Sequence, residues 1–327
     1  MAGIALPIVA LSGGDPAGIG PEICIKAALS HEVNNICRPL IFGDRRVMDL
    51  HRRACKISVP FNGYKSIKKI DWSKPGVNLF ELDLFSNDSC VIGEINAANG
   101  RAAVDCAAAA IAAAVANEVS AVVAAPHTEK AIHLAGIEFD GYPSFLARQT
   151  GMNPDDVYLM VCFDHYRIAH VTLHASVRRS LELITEARVK HIISAVNDTL
   201  IKIGIVRPKI LVGGLNPHAS ENGLFGSEEA EIIKPAIAVK RDEGIDVSGP
   251  IGSDLMVHQQ GYDAFVVMLH DQGHIPAKLL AKHRTAALSI GSPIMFSSVA
   301  HGSAYDIAGQ GKAGPEAMVE AINLLVQ

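Results

Sequence analysis

A chain of 327 residues is longer than one typical domain, so two domains are expected, with a core that needs no disulfide or metal staples. Lys plus Arg total 29 against 34 Asp plus Glu, a formal net charge of -5 with no long basic block, which argues against a nucleic-acid partner. Hydrophobic residues make up 49% and charged residues 19%, below the roughly 25% usual in soluble domains, so burial in layers is expected and wholesale disorder is excluded.

The apolar run from Ile4 to Leu11 has no basic leader and ends in Gly13-Gly14-Asp15-Pro16, which is turn chemistry rather than a cleavage site. Strands are expected at Ile8–Leu11, Leu40–Phe42, Ala121–Ala124, Arg167–Leu173, Lys209–Val212 and Ala264–Leu269. Helical spacing falls at Pro21–Leu29, Ala102–Val119, Val177–Ile203 and Glu228–Glu243, with a closing helix at Pro315–Val326. This alternation implies an α/β protein with sheets sandwiched by helices. The alanine-rich stretch Ala102–Ala116 carries Asp105 and is too short to span a bilayer, so no membrane segment is expected; its small side chains suit either internal packing or a dimer face. Six cysteines without a C-x-x-C pair argue against a zinc ribbon or a disulfide framework and fit a reducing, cytoplasmic setting.

The run Gly13 to Glu22 follows a strand and opens a helix with Pro21 in its first turn. Its glycines are not spaced as the dinucleotide fingerprint, and the loop reads either as a tight structural turn or as an anion-binding loop. His174, His218 and His270 each follow a predicted strand. Ligands in open α/β sheets bind beyond the carboxyl ends of the strands, so these imidazoles can converge on a divalent metal, or serve as ordinary polar caps. Asp254 and Asp271 are candidates to ligate metal or take a proton, Asp254 being equally a helix cap, and Lys278 to steer an anion or stand in solvent.

Four stretches carry a more specific signal: Gly14-Asp15-Pro16-Ala17-Gly18-Ile19-Gly20-Pro21-Glu22, Asn216-Pro217-His218-Ala219, Leu269-His270-Asp271-Gln272-Gly273 and His301-Gly302-Ser303-Ala304-Tyr305-Asp306-Ile307-Ala308-Gly309. Together they resemble the 4-hydroxythreonine-4-phosphate dehydrogenase family, fold relatives of isocitrate and isopropylmalate dehydrogenases, over nearly the whole chain. The resemblance implies two α/β/α lobes with an active-site cleft between them: residues 1–130 with 275–327 on the cofactor side, and 131–274 on the metal and dimer side. It implies a homodimer with the active site near its interface, and NAD-linked, decarboxylating oxidation of a small acidic substrate. His174, His218 and His270 would hold one divalent ion, with zinc, cobalt, nickel, magnesium and manganese all open. Asp254, Asp271 and Lys278 would be catalytic. Gly14, Asp15, Gly18, Gly20, His301, Gly302, Ser303, Asp306 and Ile307 would contact NAD, Asp306 at the adenine ribose.

The expected substrate pocket departs from the phosphate-using members. Tyr142-Pro143 stands where they have His-Thr, Ala287 replaces an Asn and Phe296 an Arg, although Lys278 is kept. Loss of charged and polar anchors leaves a phosphate dianion poorly held. Gly141-Tyr142-Pro143-Ser144, the run His270 to Pro276, Ala287 to Gly291 and Ser297-Ser298-Val299 look instead like a branch of aromatic catabolism that oxidises a terephthalate dihydrodiol, with Tyr142 and Phe296 as apolar walls. A phosphorylated hydroxy acid is the alternative substrate, and a noncatalytic ligand-binding relative the alternative class.

Overall fold

The computed structural model describes residues 6–85, 90–281 and 285–326, so Ile4 and Ala5 of the expected apolar run lie outside the described residues. Two compact units divide the chain: Met1–Phe145 with Pro293–Gln327, and Leu146–Ser292.

In chain order the first unit holds β1 (Ile8–Ser12), α1 (Gly20–Leu29), α2 (His31–Ile36), β2 (Arg38–Gly43), α3 (Arg45–Ala54), β3 (Phe61–Tyr64), β4 (Val77–Glu81), α4 (Ala97–Val115), β5 (Ala121–Ala124) and α5 (Glu129–Leu134). In α6 (Tyr142–Thr150) the chain passes into the second unit. There follow β6 (Tyr158–Phe163), β7 (Tyr166–His170), α7 (Val177–Leu183), α8 (Glu186–Lys202), β8 (Lys209–Gly213), α9 (Lys234–Asp242), β9 (Asp246–Ile251), α10 (Ser253–Met256), β10 (Ala264–Val267), α11 (His270–Leu280) and β11 (Ala286–Ile290). The first unit closes with β12 (Met295–Val299) and α12 (Glu316–Leu325).

The first unit's strands run β3-β4-β2-β1-β5-β12, all parallel. β1 and β5 are buried almost throughout, as a parallel sheet covered on both faces demands. The second unit's strands run β11-β6-β7-β10-β8-β9, where β6 pairs antiparallel with β11 and β7 and the remaining ladders are parallel. The architecture is therefore mixed α/β.

Several expected elements shift for identifiable reasons. The helix expected over Val177–Ile203 is two, because Ile184 and Thr185 are not helical and the Thr185 side chain caps α8 by accepting from Arg188 N. The helix expected over Glu228–Glu243 opens with a π turn, Glu229–Ile233, just before Pro235, whose ring supplies no N–H to a regular helical ladder. The expected strand Arg167–Leu173 stops at His170, and the one expected to Leu269 stops at Val267. Helix α4 starts at Ala97, N-capped by the Asn96 side chain, and a Cβ on Gly100 would sit 2.1 Å from Ala131 O of α5. Ala102, Ala103, Ala107, Ala110 and Ile111 are buried within the first unit, so the alanine-rich face is internal. No helix among the described residues is long and apolar enough to cross a membrane.

Candidate functional site

In the first unit β1 lies between β2 and β5, and the chain leaves it toward β2 on one side and reaches β5 on the other. That reversal puts the loop after β1 at a topological switch point, beside the loop after β5. Asp15, fully buried, accepts from Ala17 N and from the Tyr305 hydroxyl. The Tyr305 hydroxyl lies 2.7 Å from Thr128 Oγ1, and Thr128 donates to Ser303 Oγ at 2.8 Å. Burial, then the bond to Asp15, pushes the Tyr305 hydroxyl up from its ordinary pKa, so it remains a donor.

The loop's glycines are occupied by protein. Gly14 has φ +66°, and a Cβ there would lie 2.4 Å from Pro126 O. A Cβ on Gly18 would lie 2.6 Å from Ser303 Cβ, and one on Gly20 2.4 Å from Gly13 O. Ile19 N donates to Ser303 O, which ties this turn to the loop beginning at His301. Of the residues expected at NAD, Gly14, Asp15, Gly18, Gly20 and Ser303 form this packed support. His301, Gly302 and Asp306 are exposed, Ile307 is half-buried, and a Cβ on Gly302 would meet nothing within 4 Å.

Tyr142 and Phe296 are buried, their ring centroids 5.0 Å apart, and Tyr142 also packs edge-on against His127. Tyr142 donates to Ala125 O, and Pro143 beside it is buried. These residues build an aromatic core of the first unit, in which burial holds His127 below the ordinary imidazole pKa. Ala287 lies in β11 opposite Val161.

The second unit gathers imidazoles. His270 opens α11, and its ring centroid lies 6.0 Å from that of His174, an exposed residue beyond β7. Asp271 Oδ1 holds His270 Nδ1 at 2.7 Å, which leaves Nε2 with its lone pair. His274, one turn along the helix, stacks on His270 at 3.9 Å with the rings 5° from parallel. Beneath it, His170 of β7 is 1% exposed and within 3.1 Å of His274 Nδ1. Burial drives both down, His170 to about 3 and His274 to about 4, with neighbouring imidazoles adding to the effect, so both are neutral near pH 7. Neither carried an expectation from sequence. The available signal was the spacing of His270 and His274, one turn apart on a helix, with Gly273 between them.

His218 is placed apart, exposed in the turn Pro217–Gly223, with its ring 6.2 Å from Phe225. From His218 to Asn222 every φ is positive, an uncommon run for side-chain-bearing residues. The turn lies beside α10: a Cβ on Gly252 would be 2.7 Å from Asp254 Oδ1 and 3.6 Å from His218 Cα. Asp254 is exposed in the first turn of α10, and Lys278 is exposed on α11 one turn beyond His274. Among the described residues no three His, Cys, Asp or Glu side chains are already gathered as a metal cage. The donors nonetheless suit a divalent ion, since His270 is oriented by a carboxylate, the usual support of a ligating imidazole, and His174 lies alongside.

Residues 35–325 match the family described as Pyridoxal phosphate biosynthetic protein PdxA. The chain is 42% identical to the 1,2-dihydroxy-3,5-cyclohexadiene-1,4-dicarboxylate dehydrogenase of Comamonas sp, over 97% of this chain and 96% of that one. The crystal structure of a terephthalate 1,2-cis-dihydrodioldehydrogenase from Burkholderia xenovorans LB400 is similar at 39% identity and TM-score 0.74, covering 98% of each chain. A 4-hydroxythreonine-4-phosphate dehydrogenase structure from Klebsiella pneumoniae superposes at TM-score 0.86 with 33% identity, again covering 98% of each chain. With matches of this extent, the chain belongs to the PdxA family.

Proposed function

We propose that this chain is a metal-dependent, NAD-linked dehydrogenase that oxidises and decarboxylates a hydroxy acid, and that its substrate is a cyclic dihydrodiol carboxylate. The observation that carries the reading is the imidazole group of His174, His270 and His274 in a chain 42% identical to a dehydrogenase of such a diol. His174, His218 and His270 would hold the divalent ion, His218 arriving from its neighbouring turn. When bound, the ion supplies polarisation of the reacting oxygen and of the charge left by decarboxylation, while NAD supplies the oxidising equivalent.

The remaining work falls to the chain's own groups. Asp271 fixes the His270 ring, and Asp254, exposed beside the His218 turn, would accept the hydroxyl proton. Lys278, an exposed cation beyond His274, would pair with a carboxylate of the substrate. NAD recognition would rest on His301, Gly302, Asp306 and Ile307, which present open backbone and an exposed carboxylate. Gly14, Asp15, Gly18, Gly20 and Ser303 would act by supporting that loop. Tyr142, Pro143 and Phe296, buried in the aromatic core of the first unit, would shape specificity indirectly rather than as exposed walls.

NADH formation with dihydrodiol acids and phosphorylated hydroxy acids, with and without added divalent metal, tests the proposal. Metal-dependent turnover of the diols with release of carbon dioxide supports it. Turnover confined to phosphorylated acids would favour the second reading, a 4-hydroxythreonine-4-phosphate or sugar-acid phosphate dehydrogenase, for which the retained Lys278 and the likeness to the Klebsiella enzyme speak.

A further inference from the structure

The hydrogen bonds around His170 and His274 admit one arrangement of protons. His170 Nδ1 faces Leu159 O at 3.3 Å, while His274 Nδ1 faces His270 O at 3.2 Å and His170 Nε2 at 3.1 Å. Carbonyl oxygens only accept, so each Nδ1 must carry the proton. The opposite assignment, with His170 Nε2–H donating to His274, would set a nitrogen lone pair against a carbonyl at both ends. In the satisfied arrangement His170 donates to Leu159 and accepts from His274. His274 Nε2 is then left as a lone-pair acceptor, and among the described residues it has no partner within the chain.

Packing holds this arrangement in place. A Cβ on Gly273 would sit 2.3 Å from His170 Nε2, so α11 lies directly on the buried ring only because residue 273 has no side chain. The His274 ring cannot turn over without losing both Nδ1 partners, and stacking on His270 fixes its plane. We infer that His170 is a positioning residue that, together with the His270 carbonyl, holds His274 as an Nε2 acceptor, and that His274 accepts a hydrogen bond from a hydroxyl of the bound substrate, selecting a vicinal diol acid over its mono-hydroxy analogue. The substrate half of the inference rests on the dihydrodiol reading; the tautomer half does not. A site with a fixed acceptor favours a ligand that brings a donor and leaves the acceptor unpaired when the donor is missing.

Two measurements on the intact enzyme test it. Long-range proton–nitrogen NMR of histidine-labelled protein reads which ring nitrogen of His274 carries the proton. The wild type should show the Nδ1–H pattern; in His170→Leu the His270 carbonyl still faces Nδ1, so that pattern should persist with a detectable rise in the Nε2–H form. An Nε2–H pattern for wild-type His274 overturns the inference whatever the enzyme oxidises. Kinetics with a cyclic vicinal diol acid and its mono-hydroxy analogue form the second arm. His274→Leu should raise KM for the diol roughly tenfold while moving KM for the analogue little, and His170→Leu should give a smaller shift of the same kind. An equal rise for both substrates, or none for the diol, overturns the role of His274. A wild type that turns over no diol acid overturns the substrate half together with the dihydrodiol reading, while an intact Nδ1–H pattern still sustains the tautomer lock.

Discussion

The first unit's polar group and the second unit's imidazole group are built from similar parts and finished differently. Around Asp15, the carboxylate and the hydroxyls of Tyr305, Thr128 and Ser303 answer one another within the chain, with Ala17 N donating to the carboxylate as well. Three glycines let neighbouring backbone fill the space a ligand would need. Around His270, the internal bonds hold one nitrogen of His270 and one of His274 and, among the described residues, stop there. His270 Nδ1 is held by Asp271 and His274 Nδ1 by His170 and a carbonyl. A saturated network stabilises, whereas one that orients groups and leaves lone pairs over is equipped to bind. The sharpest way to break this contrast is to show that the imidazoles matter only for stability, or that the Asp15 loop matters only for turnover.

The largest expected effect is on chemistry. His270→Ala should lower turnover by roughly a thousandfold, the scale of losing several kcal/mol of stabilisation in the transition state. The ring is 36% exposed at the start of a helix, so the melting temperature should move by no more than about 3 °C. Assaying turnover, bound metal and thermal unfolding on one preparation separates the two. A variant that unfolds early and keeps its specific activity would make His270 a structural residue.

Gly14→Ala is the mirror experiment. The new methyl meets Pro126 O and Ala125 at 2.4–2.9 Å in a backbone with φ +66°, so a cost of about 3 kcal/mol is expected. Denaturant titration should show it as a lower midpoint with unchanged slope. Turnover measured well below the midpoint should stay near that of the wild type.

How far the sequence carries depends on what each signal consists of. The strands flanking the first loop were legible as short β-branched runs, and His174 and His270 as polar residues where strands end. His170 was hidden because it stands in an apolar strand, Ile168-Ala169-His170-Val171, where position alone does not separate a core histidine from one that backs a site. Strand β9 was hidden by Gly249-Pro250; proline is tolerated there because β9 is the edge of its sheet and the register is irregular near Leu211 and Gly213. Tyr142 and Phe296 read as pocket walls because residue type does not distinguish a ring that lines a cavity from one that fills a core, and both are buried. His218 was legible as a candidate ligand following a strand, but the left-handed turn that carries it comes from the backbone of residues 218–222, for which those residue types carry no distinctive signal.

A smaller effect is expected at the exposed edge of the first unit. If Asp306 faces the adenine ribose, Asp306→Lys removes an acceptor and adds a partner for a phosphate, so the ratio of kcat/KM for NAD to that for NADP should fall by roughly tenfold or more. The side chain is exposed and its loop is held by Ser303 and by Gln310, which donates to Asp306 O, so the fold should be undisturbed. An unchanged cofactor ratio would move the ribose elsewhere.

The smallest expected effect tests whether the Asp15 loop is a stability device down to its underside. His51 in α3 is fully buried and donates from Nε2 to Pro16 O at 2.8 Å, while its Nδ1 has no partner among the described residues. Burial lowers its pKa from the ordinary 6.5; the Pro16 bond and the Glu22 and Asp15 carboxylates pull the other way without overcoming it. The unfolded chain therefore takes up a proton near 6.5 that the folded chain still refuses. The stability tied to a neutral His51 is complete above 6.5 and is lost as pH falls from 6.5 toward the lower folded value, at a rate of up to about 1.4 kcal/mol per pH unit for one proton. His127, half-buried and likewise lowered, contributes to the same acid limb, so the informative quantity is the difference between wild type and a His51 variant. His51→Gln keeps an N–H for Pro16 O and cannot titrate. Its stability above pH 6.5 should be slightly lower than that of the wild type because an amide fills the imidazole's space imperfectly, and its decline as pH falls below 6.5 should be shallower. Parallel slopes over that range would mean that His51 binds its proton as readily in the folded protein as in the unfolded chain, and that the loop above it is held by something other than a neutral imidazole.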